Sequence, residues 1–279
     1  MRPTETQLTE YQELALRIAD EASALVLSGF RTGTAIHKKG RIDLVTKYDV
    51  DCEKLVRARL GEAVPTHRIV GEEAEAQGSG DLVWYVDPID GTTNFAHGHP
   101  FFCVSIGLWY RNEPLVGVVA APALGVTWWG AAGRGAFRNE VRCQVTTTET
   151  LEDSLCATGF AYNRWTTTDD NLSEYKAFLK SSQGVRRCGA AALDLACVAD
   201  GTYDLYWEQG LKAWDVAAGI LLVQEAGGRV TDYVGEDADP HLGQVVATNR
   251  ALHGETIRLL EATRAKAGLP IAGDRPPKG

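Results

Sequence analysis

The stretch Leu82-Val83-Trp84-Tyr85-Val86-Asp87-Pro88-Ile89-Asp90-Gly91-Thr92-Thr93-Asn94-Phe95 sets two carboxylates at the end of an apolar run. A β-branched and aromatic run of this kind reads as a buried strand. The proline and glycine after it force a tight turn, so Asp87 and Asp90 leave one strand end together. Asp-Pro and Asp-Gly are also ordinary turn formers, and the other acids of the chain weigh on the choice. Gly71-Glu72-Glu73 follows the apolar pair Ile69-Val70 and puts a carboxylate at the end of a second short strand, although adjacent acids are commonly just solvated surface. Trp214-Asp215-Val216-Ala217-Ala218-Gly219 opens an apolar helical run. Asp215 is suited to N-cap that helix, and a capping carboxylate keeps lone pairs for a second partner.

Outward from these strings, helix and strand fall into blocks. Residues 5–29 carry Leu8, Tyr11, Leu14, Ile18, Ala22 and Leu25 at helical spacing with Gly29 as a stop, which predicts an amphipathic first helix. Asp49 or Asp51 caps a second helix with Leu55, Val56 and Leu60 on its apolar face and Gly61 after it. From residue 82 the period changes: 82–86, 101–110, 115–120 and 125–129 are strand-like runs separated by Gly, Pro and Asn, with a turn at Gly133-Arg134-Gly135. The second half predicts helices at about 190–199, 215–226 and 252–265 and strands at 203–207 and 244–248. Such segregated blocks favour an α+β or layered α/β/α arrangement over a regular doubly wound sheet. No internal repeat or low-complexity segment is visible, and residues 272–279, rich in Pro, Gly and charge, read as a loosely held tail.

With 279 residues, 44% of them hydrophobic, the chain buries a sizeable core, which excludes a disordered or fibrous protein. A net charge of −9 advertises no basic face for a nucleic-acid polymer or an anionic membrane. Residues 1–13 lack the apolar centre of a secretory signal, and the apolar runs fall short of the roughly 20 residues that span a bilayer. A cytoplasmic location is therefore expected. The six cysteines (Cys52, Cys103, Cys143, Cys156, Cys188, Cys197) form no C-x-x-C pair and read as buried free thiols.

Should Glu72, Asp87, Asp90 and Asp215 converge, four negative charges share a small volume, an arrangement that cations must neutralise. Hard oxygen donors suit Mg2+ or Mn2+ rather than zinc, and a site with two or more such ions is suited to in-line displacement at phosphorus. Taken together, in order and in spacing, the three strings resemble the signature set of the inositol monophosphatase family. Asp43-Leu44-Val45-Thr46-Lys47-Tyr48-Asp49 and Glu208-Gln209-Gly210 extend the resemblance over most of the chain, from the first helix to Thr248.

That resemblance implies a layered αβαβα sandwich of the inositol monophosphatase and fructose-1,6-bisphosphatase type. It implies one phosphatase domain over 1–279, with halves at 1–145 and 146–267 and a flexible tail at 268–279. By similarity, Asp87 bridges two Mg2+ ions, Glu72 and the carbonyl of Ile89 complete the first site, and Asp90 with Asp215 complete the second. A third ion near Glu72 is usual in the family, and Mn2+ is a possible substitute. Thr92 orients the attacking water, with Asp49 on its hydroxyl as proton relay and Glu72 part of the catalytic set. The backbone amides of residues 91–93, if they open a helix, receive phosphate oxygens. Glu208 aligns with a residue that binds substrate hydroxyls, and Ala191 lies near the opposite wall. With Asp90, Gly91, Thr92 and Asp215, these make up the expected substrate contacts. Lys38 falls near a lysine that the family places at its site, and Lys39 fits equally. The segment Gly159-Phe160-Ala161-Tyr162-Asn163-Arg164 resembles a pocket wall.

The implied activity is Mg2+-dependent hydrolysis of a small phosphorylated polyol or sugar, foremost myo-inositol monophosphate. Fructose 1,6-bisphosphate, histidinol phosphate and the 3′-phosphate of an adenosine bisphosphate are the alternatives, followed by a non-catalytic regulatory member. Lithium inhibition and a homodimer are implied by resemblance alone. His97-Gly98-His99 lacks an H-E-x-x-H motif. No G-x-x-x-x-G-K-[ST] string is present, and no cysteine has arginine six positions later, so water attack is expected without a covalent intermediate.

Overall fold

A computed structural model of the chain describes residues 2–33, 35–41 and 43–271. Helix α1 (Glu5–Gly29) opens with a capping box, in which Gln7 N donates to Thr4 Oγ1 at 3.3 Å and Thr4 N donates to Gln7 Oε1 at 3.0 Å. A hairpin of β1 (Ile36–Lys38) and β2 (Leu44–Thr46) leads into α2 (Lys47–Ala63). Neither Asp49 nor Asp51 is the N-cap of α2. Thr46 takes that place and Asp49 closes the box from the third helical position, its Oδ2 accepting from Thr46 N at 2.7 Å. Gly61 does not end the helix, which continues to Ala63.

Next come β3 (Arg68–Gly71), β4 (Leu82–Asp90), the short α3 (Thr92–Ala96), β5 (Cys103–Tyr110), β6 (Glu113–Ala121), β7 (Val126–Ala131), β8 (Gly135–Arg138) and β9 (Val141–Arg142). These strands make a seven-stranded sheet in sequential order, antiparallel apart from the parallel pair β3–β4. The second half holds β10 (Leu155–Thr158), α4 (Leu172–Ser181), β11 (Gly184–Arg186), α5 (Ala191–Ala199), β12 (Leu205–Gln209), α6 (Ala213–Glu225), β13 (Arg229–Thr231), β14 (Gln244–Thr248) and α7 (His253–Ala267). Its five-stranded sheet runs β11-β10-β12-β14-β13.

The layers follow from strand alternation. Trp84 and Val86 of β4 pack with Leu14, Ile18 and Val56 of α1 and α2, whereas Tyr85 packs into the apolar cluster of α5 and α6. In β12, Tyr206 joins that central cluster while Leu205 and Trp207 turn to Phe178 of α4 and Leu260 of α7. The result is the expected layered αβαβα sandwich, with α5 and α6 between the sheets. Close approach is built in at Gly107 and Gly117, where a Cβ would meet the backbone of residues 217–218 at 2.6–3.0 Å.

Strand β4 does not stop at Val86. It runs on to Asp90, and Asp87 pairs with Ser105 while Asp90 pairs with Cys103, so three steps on β4 oppose two on β5. Residues three apart on a regular strand face opposite ways. The bulge adds one residue and returns Asp90 to the face of Asp87, and Pro88, which has no N–H for the ladder, sits inside it. Of the expected tail, residues 268–271 follow α7, with Arg264 Nε donating to Pro270 O at 2.8 Å; residues 272–279 lie outside the described residues.

Candidate active site

Asp87 and Asp90 from β4, Glu72 at the end of β3, and Asp215 in the first turn of α6 line one cavity of about 280 Å3. Ile89, Gly91, Thr92, Ala191 and Glu208 line it too, so the structure gathers the residues that the sequence strings single out. Asp49 lies behind this wall and reaches it through Thr92. Asp43 also lines the cavity, whereas His97 and His99 do not.

Each acid is held by local backbone geometry. Asp90 accepts from Ala191 N at 3.1 Å and Ala192 N at 2.7 Å, a carboxylate set on the positive end of α5. Ala191 thus contributes its amide. Asp215 is not the N-cap of α6: Lys212 occupies that position, and its N–H donates to Asp215 Oδ2 at 2.7 Å from the third-residue side. Asp87 Oδ1 accepts from Ile89 N at 3.0 Å. The Thr92 hydroxyl lies 2.9 Å from Asp49 Oδ1 and 3.0 Å from the Ile89 carbonyl, and the other Asp49 oxygen accepts from both Thr46 N and Thr46 Oγ1. Gly91, at φ 92, caps α3 in a left-handed conformation that favours glycine.

The electrostatics record the convergence. Burial pushes Asp87 well above the usual carboxylate range, and the charges of Glu72, Asp90 and Asp215 raise it further. Asp90 is pushed up to about 7 by burial against the pull of the α5 amides. Burial and then Asp90 raise Asp215. Glu72 is raised by burial and lowered by the Lys39 ammonium, whose Nζ lies 2.9 Å from Glu72 Oε1 and also bonds Glu73. Of the two candidate lysines, Lys39 lines the cavity and Lys38 lies exposed on β1.

Among the described residues, no three His, Cys, Asp or Glu side chains are drawn together tightly enough to form a closed ligand set. Glu72 pairs with Lys39, and Asp87, Asp90 and Asp215 accept from backbone amides. The donor set nonetheless fits a hard cation: four carboxylates and the Ile89 carbonyl on one cavity, with no thiolate or imidazole among the lining residues. The Lys39 ammonium at Glu72 is a cation already seated on that set.

Beyond the expected residues, Tyr206 donates its hydroxyl to Glu208 Oε2 at 2.5 Å, and burial pushes Glu208 up to about 7. Any side chain at Gly159 would collide with the Glu208 carboxylate, so glycine keeps that wall open. Phe160, Tyr162, Arg187, Lys212 and Trp214 also line the cavity. Trp214 opens the Asp215 string, whereas Arg187 and Lys212 carry no string that marks them, because strand and helix packing alone brings them to the acids. All six cysteines are free, and five are buried. No helix among the described residues is long and apolar enough to cross a membrane.

The chain is similar to known proteins in sequence and fold. A profile of the inositol monophosphatase family matches residues 7–265. An inositol-1-monophosphatase from Synechocystis is 42% identical over 261 residues, covering 92% of this chain and 91% of its own. A protein from Pseudomonas aeruginosa named Nus factor SuhB is 41% identical over 244 residues, covering 85% and 90%. The solved inositol monophosphatase of Anabaena superposes with a TM-score of 0.85 at 40% identity, covering 92% of this chain and 97% of its own. On the match over nearly its whole length, this chain belongs to the inositol monophosphatase family.

Proposed function

We propose that the protein is a Mg2+-dependent phosphomonoesterase whose substrate is a small phosphorylated polyol, foremost myo-inositol monophosphate. The observation that carries this reading is the meeting of Glu72, Asp87, Asp90 and Asp215 on one cavity beside the Thr92–Asp49 pair. The likeness to enzymes named for inositol monophosphate supports the substrate.

Glu72, Asp87 and the Ile89 carbonyl would hold one ion, Asp87 with Asp90 and Asp215 a second, and a third would lie near Glu72; Mn2+ is a substitute. When bound, the ions supply a water of lowered pKa and stabilise the departing alkoxide. Thr92 orients the attacking water: with the Ile89 carbonyl turned to an ion, its hydroxyl proton goes to Asp49 Oδ1, the other acceptor within reach, and a lone pair of Oγ1 is left to accept the water's proton. Asp49 then draws the threonine's own proton, its second oxygen being fixed by Thr46. Backbone amides of residues 91–93 receive phosphate oxygens. Glu208, oriented by Tyr206, accepts hydroxyls of the polyol, with Ala191 on the facing wall.

The chain acts as one catalytic unit, the halves at 1–145 and 146–267 supplying opposite walls. A homodimer, lithium sensitivity and a cytoplasmic location complete the proposal. Likeness to a protein named as a Nus factor favours a second reading, a regulatory role on the same fold; the full set of acids with Thr92 supports turnover. Released phosphate measured over a panel of myo-inositol 1-phosphate, fructose 1,6-bisphosphate, histidinol phosphate and 3′-phosphoadenosine 5′-phosphate, with and without Mg2+, tests it. Metal-dependent turnover highest on the inositol ester is expected, and no turnover on any ester rejects it.

A further inference from the structure

Strand β3 ends at Gly71, and the next two residues are both glutamates, of which Glu72 lines the cavity and Glu73 does not. What separates them lies on α2. Glu53 is 1% exposed and meets the turn that follows β3. Its Oε2 accepts from Glu73 N at 2.6 Å and its Oε1 from Ala74 N at 3.1 Å. Arg57, one helical turn on, donates from Nε to Glu53 Oε1 at 2.7 Å and from Nη2 to Ala74 O at 2.9 Å. The pair grips the turn by two amides and one carbonyl, and the guanidinium balances the buried carboxylate.

Gly71 leaves room for this grip. A Cβ there would stand 2.5 Å from the Glu53 carboxyl carbon and 2.6 and 2.7 Å from its oxygens. Gly71 lies outside the left-handed region, so space and not conformation calls for glycine here. Asp49, Glu53 and Arg57 follow one another at every fourth residue and share one face of α2. Asp49 on that face holds the Thr92 hydroxyl, and Cys52 near it donates from Sγ to Pro88 O at 3.4 Å in the β4 bulge. One helix thus braces three separate parts of the cavity wall. A buried ion pair contributes little stability over apolar side chains of the same volume, so the value of Glu53 and Arg57 lies in what they position.

We propose that Glu53, with Arg57, is a positioning residue of the metal centre: by fixing the amides of residues 73 and 74 it keeps the Glu72 carboxylate directed into the cavity, and so sets the affinity for the ion that Glu72 would hold. Glu53 is not among the lining residues and acts only through Glu72. This inference rests on the phosphomonoesterase reading and deepens it.

The test is Mn2+ binding by the folded protein without substrate, measured by calorimetry. Glu53→Gln keeps one acceptor oxygen where the carboxylate meets three donors. It should weaken Mn2+ binding by about tenfold or more, the usual scale for a partner behind a metal ligand. Saturating Mg2+ should return its turnover toward that of the unaltered protein, a split between activation constant and kcat that a collapsed site would not show. Glu72→Gln should weaken binding at least as much, and the double variant no further, because the two residues act as one unit. Arg57→Met, at the outer side of the grip, should shift the affinity in the same direction and carries the test should Glu53→Gln fail to fold. Unchanged Mn2+ affinity in the variant that folds, or a loss that adds to that of Glu72→Gln, overturns the proposal. No uptake of Mn2+ by the unaltered protein would instead reject the metal centre, and with it the phosphomonoesterase reading.

Discussion

The Thr92 hydroxyl lies 2.9 Å from Asp49 Oδ1, joining the first turn of α3 to the first turn of α2 across 43 positions of sequence. Both groups are buried, and Asp49 is raised by burial although Thr46 and Thr92 hydrogen bonds pull it down. On the proposed mechanism this carboxylate takes that hydroxyl's proton. Thr92→Ala and Asp49→Asn should each lower kcat by about 10²-fold or more, the usual scale for losing a positioned proton acceptor. Thr92→Ser, which keeps the hydroxyl, should restore most of it. Steady-state phosphate release checks this, and Thr92→Ala at full rate would exclude the relay.

Asp90 has two duties that one substitution separates. As a carboxylate it contributes charge to the cavity, and as an acceptor it caps α5 through Ala191 and Ala192. Asp90→Asn keeps one acceptor oxygen and removes the charge. Mg2+-dependent turnover should disappear while the circular dichroism spectrum and melting curve stay close to those of the unaltered protein. Full turnover in this variant would remove the charge from the mechanism.

The C-terminal helix is tied in by a buried guanidinium. Arg264 is fully buried, forks onto Asp169 at 3.0 and 2.6 Å, and meets Glu174 at 2.6 Å. Replacing one member of such a cluster strands the others. Arg264→Met should cost about 3–5 kcal/mol in urea unfolding, and adding Glu174→Gln should recover part of that loss. A cost below about 1 kcal/mol would show the cluster to be dispensable.

His253 makes stability depend on pH. Burial, and then Arg229, lowers its pKa from 6.5 to about 4. Its Nε2 lies 3.0 Å from Thr231 Oγ1 and its Nδ1 3.0 Å from Thr248 Oγ1. Thr231 spends its proton on the Asp232 carbonyl, so Nε2 donates to Thr231 and Nδ1 accepts from Thr248, which suits the neutral ring. The unfolded chain takes a proton below pH 6.5 and the folded one only near 4, so this contribution is full above 6.5 and falls as the pH drops between those values. The loss should reach about 2 kcal/mol after allowance for screening. Urea unfolding of the protein and of His253→Gln at pH 7.0 and 4.5 checks it: the variant should lose less between the two, and equal losses would contradict the assignment.

Much of this was legible in the residues, and what was hidden has a physical cause. Helix α1 matches its spacing from Leu8 to Ala22, and β14 matches the run at 244–248, because each has one apolar pattern and clear ends. The acids stood out because several short strings coincide in order. The continuation of β4 through Pro88 was not legible: proline and glycine signal a turn locally, whereas pairing with β5 and the bulge extend the strand to Asp90. The caps of α2 and α6 were misplaced because an aspartate suits both the N-cap and the third position, and Thr46 and Lys212 take the cap. The hairpin that delivers Lys39 is two three-residue strands, too short for a period to show. Arg187 was missed since a lone arginine carries no pattern until its neighbours are placed.

The most direct measurement is anomalous scattering from crystals soaked in Mn2+. Two or more peaks enclosed by Glu72, Asp87, the Ile89 carbonyl, Asp90 and Asp215 are expected. A protein that takes up no ion there at millimolar Mn2+, or that binds it at His97 and His99 instead, would contradict a metal centre built from these acids.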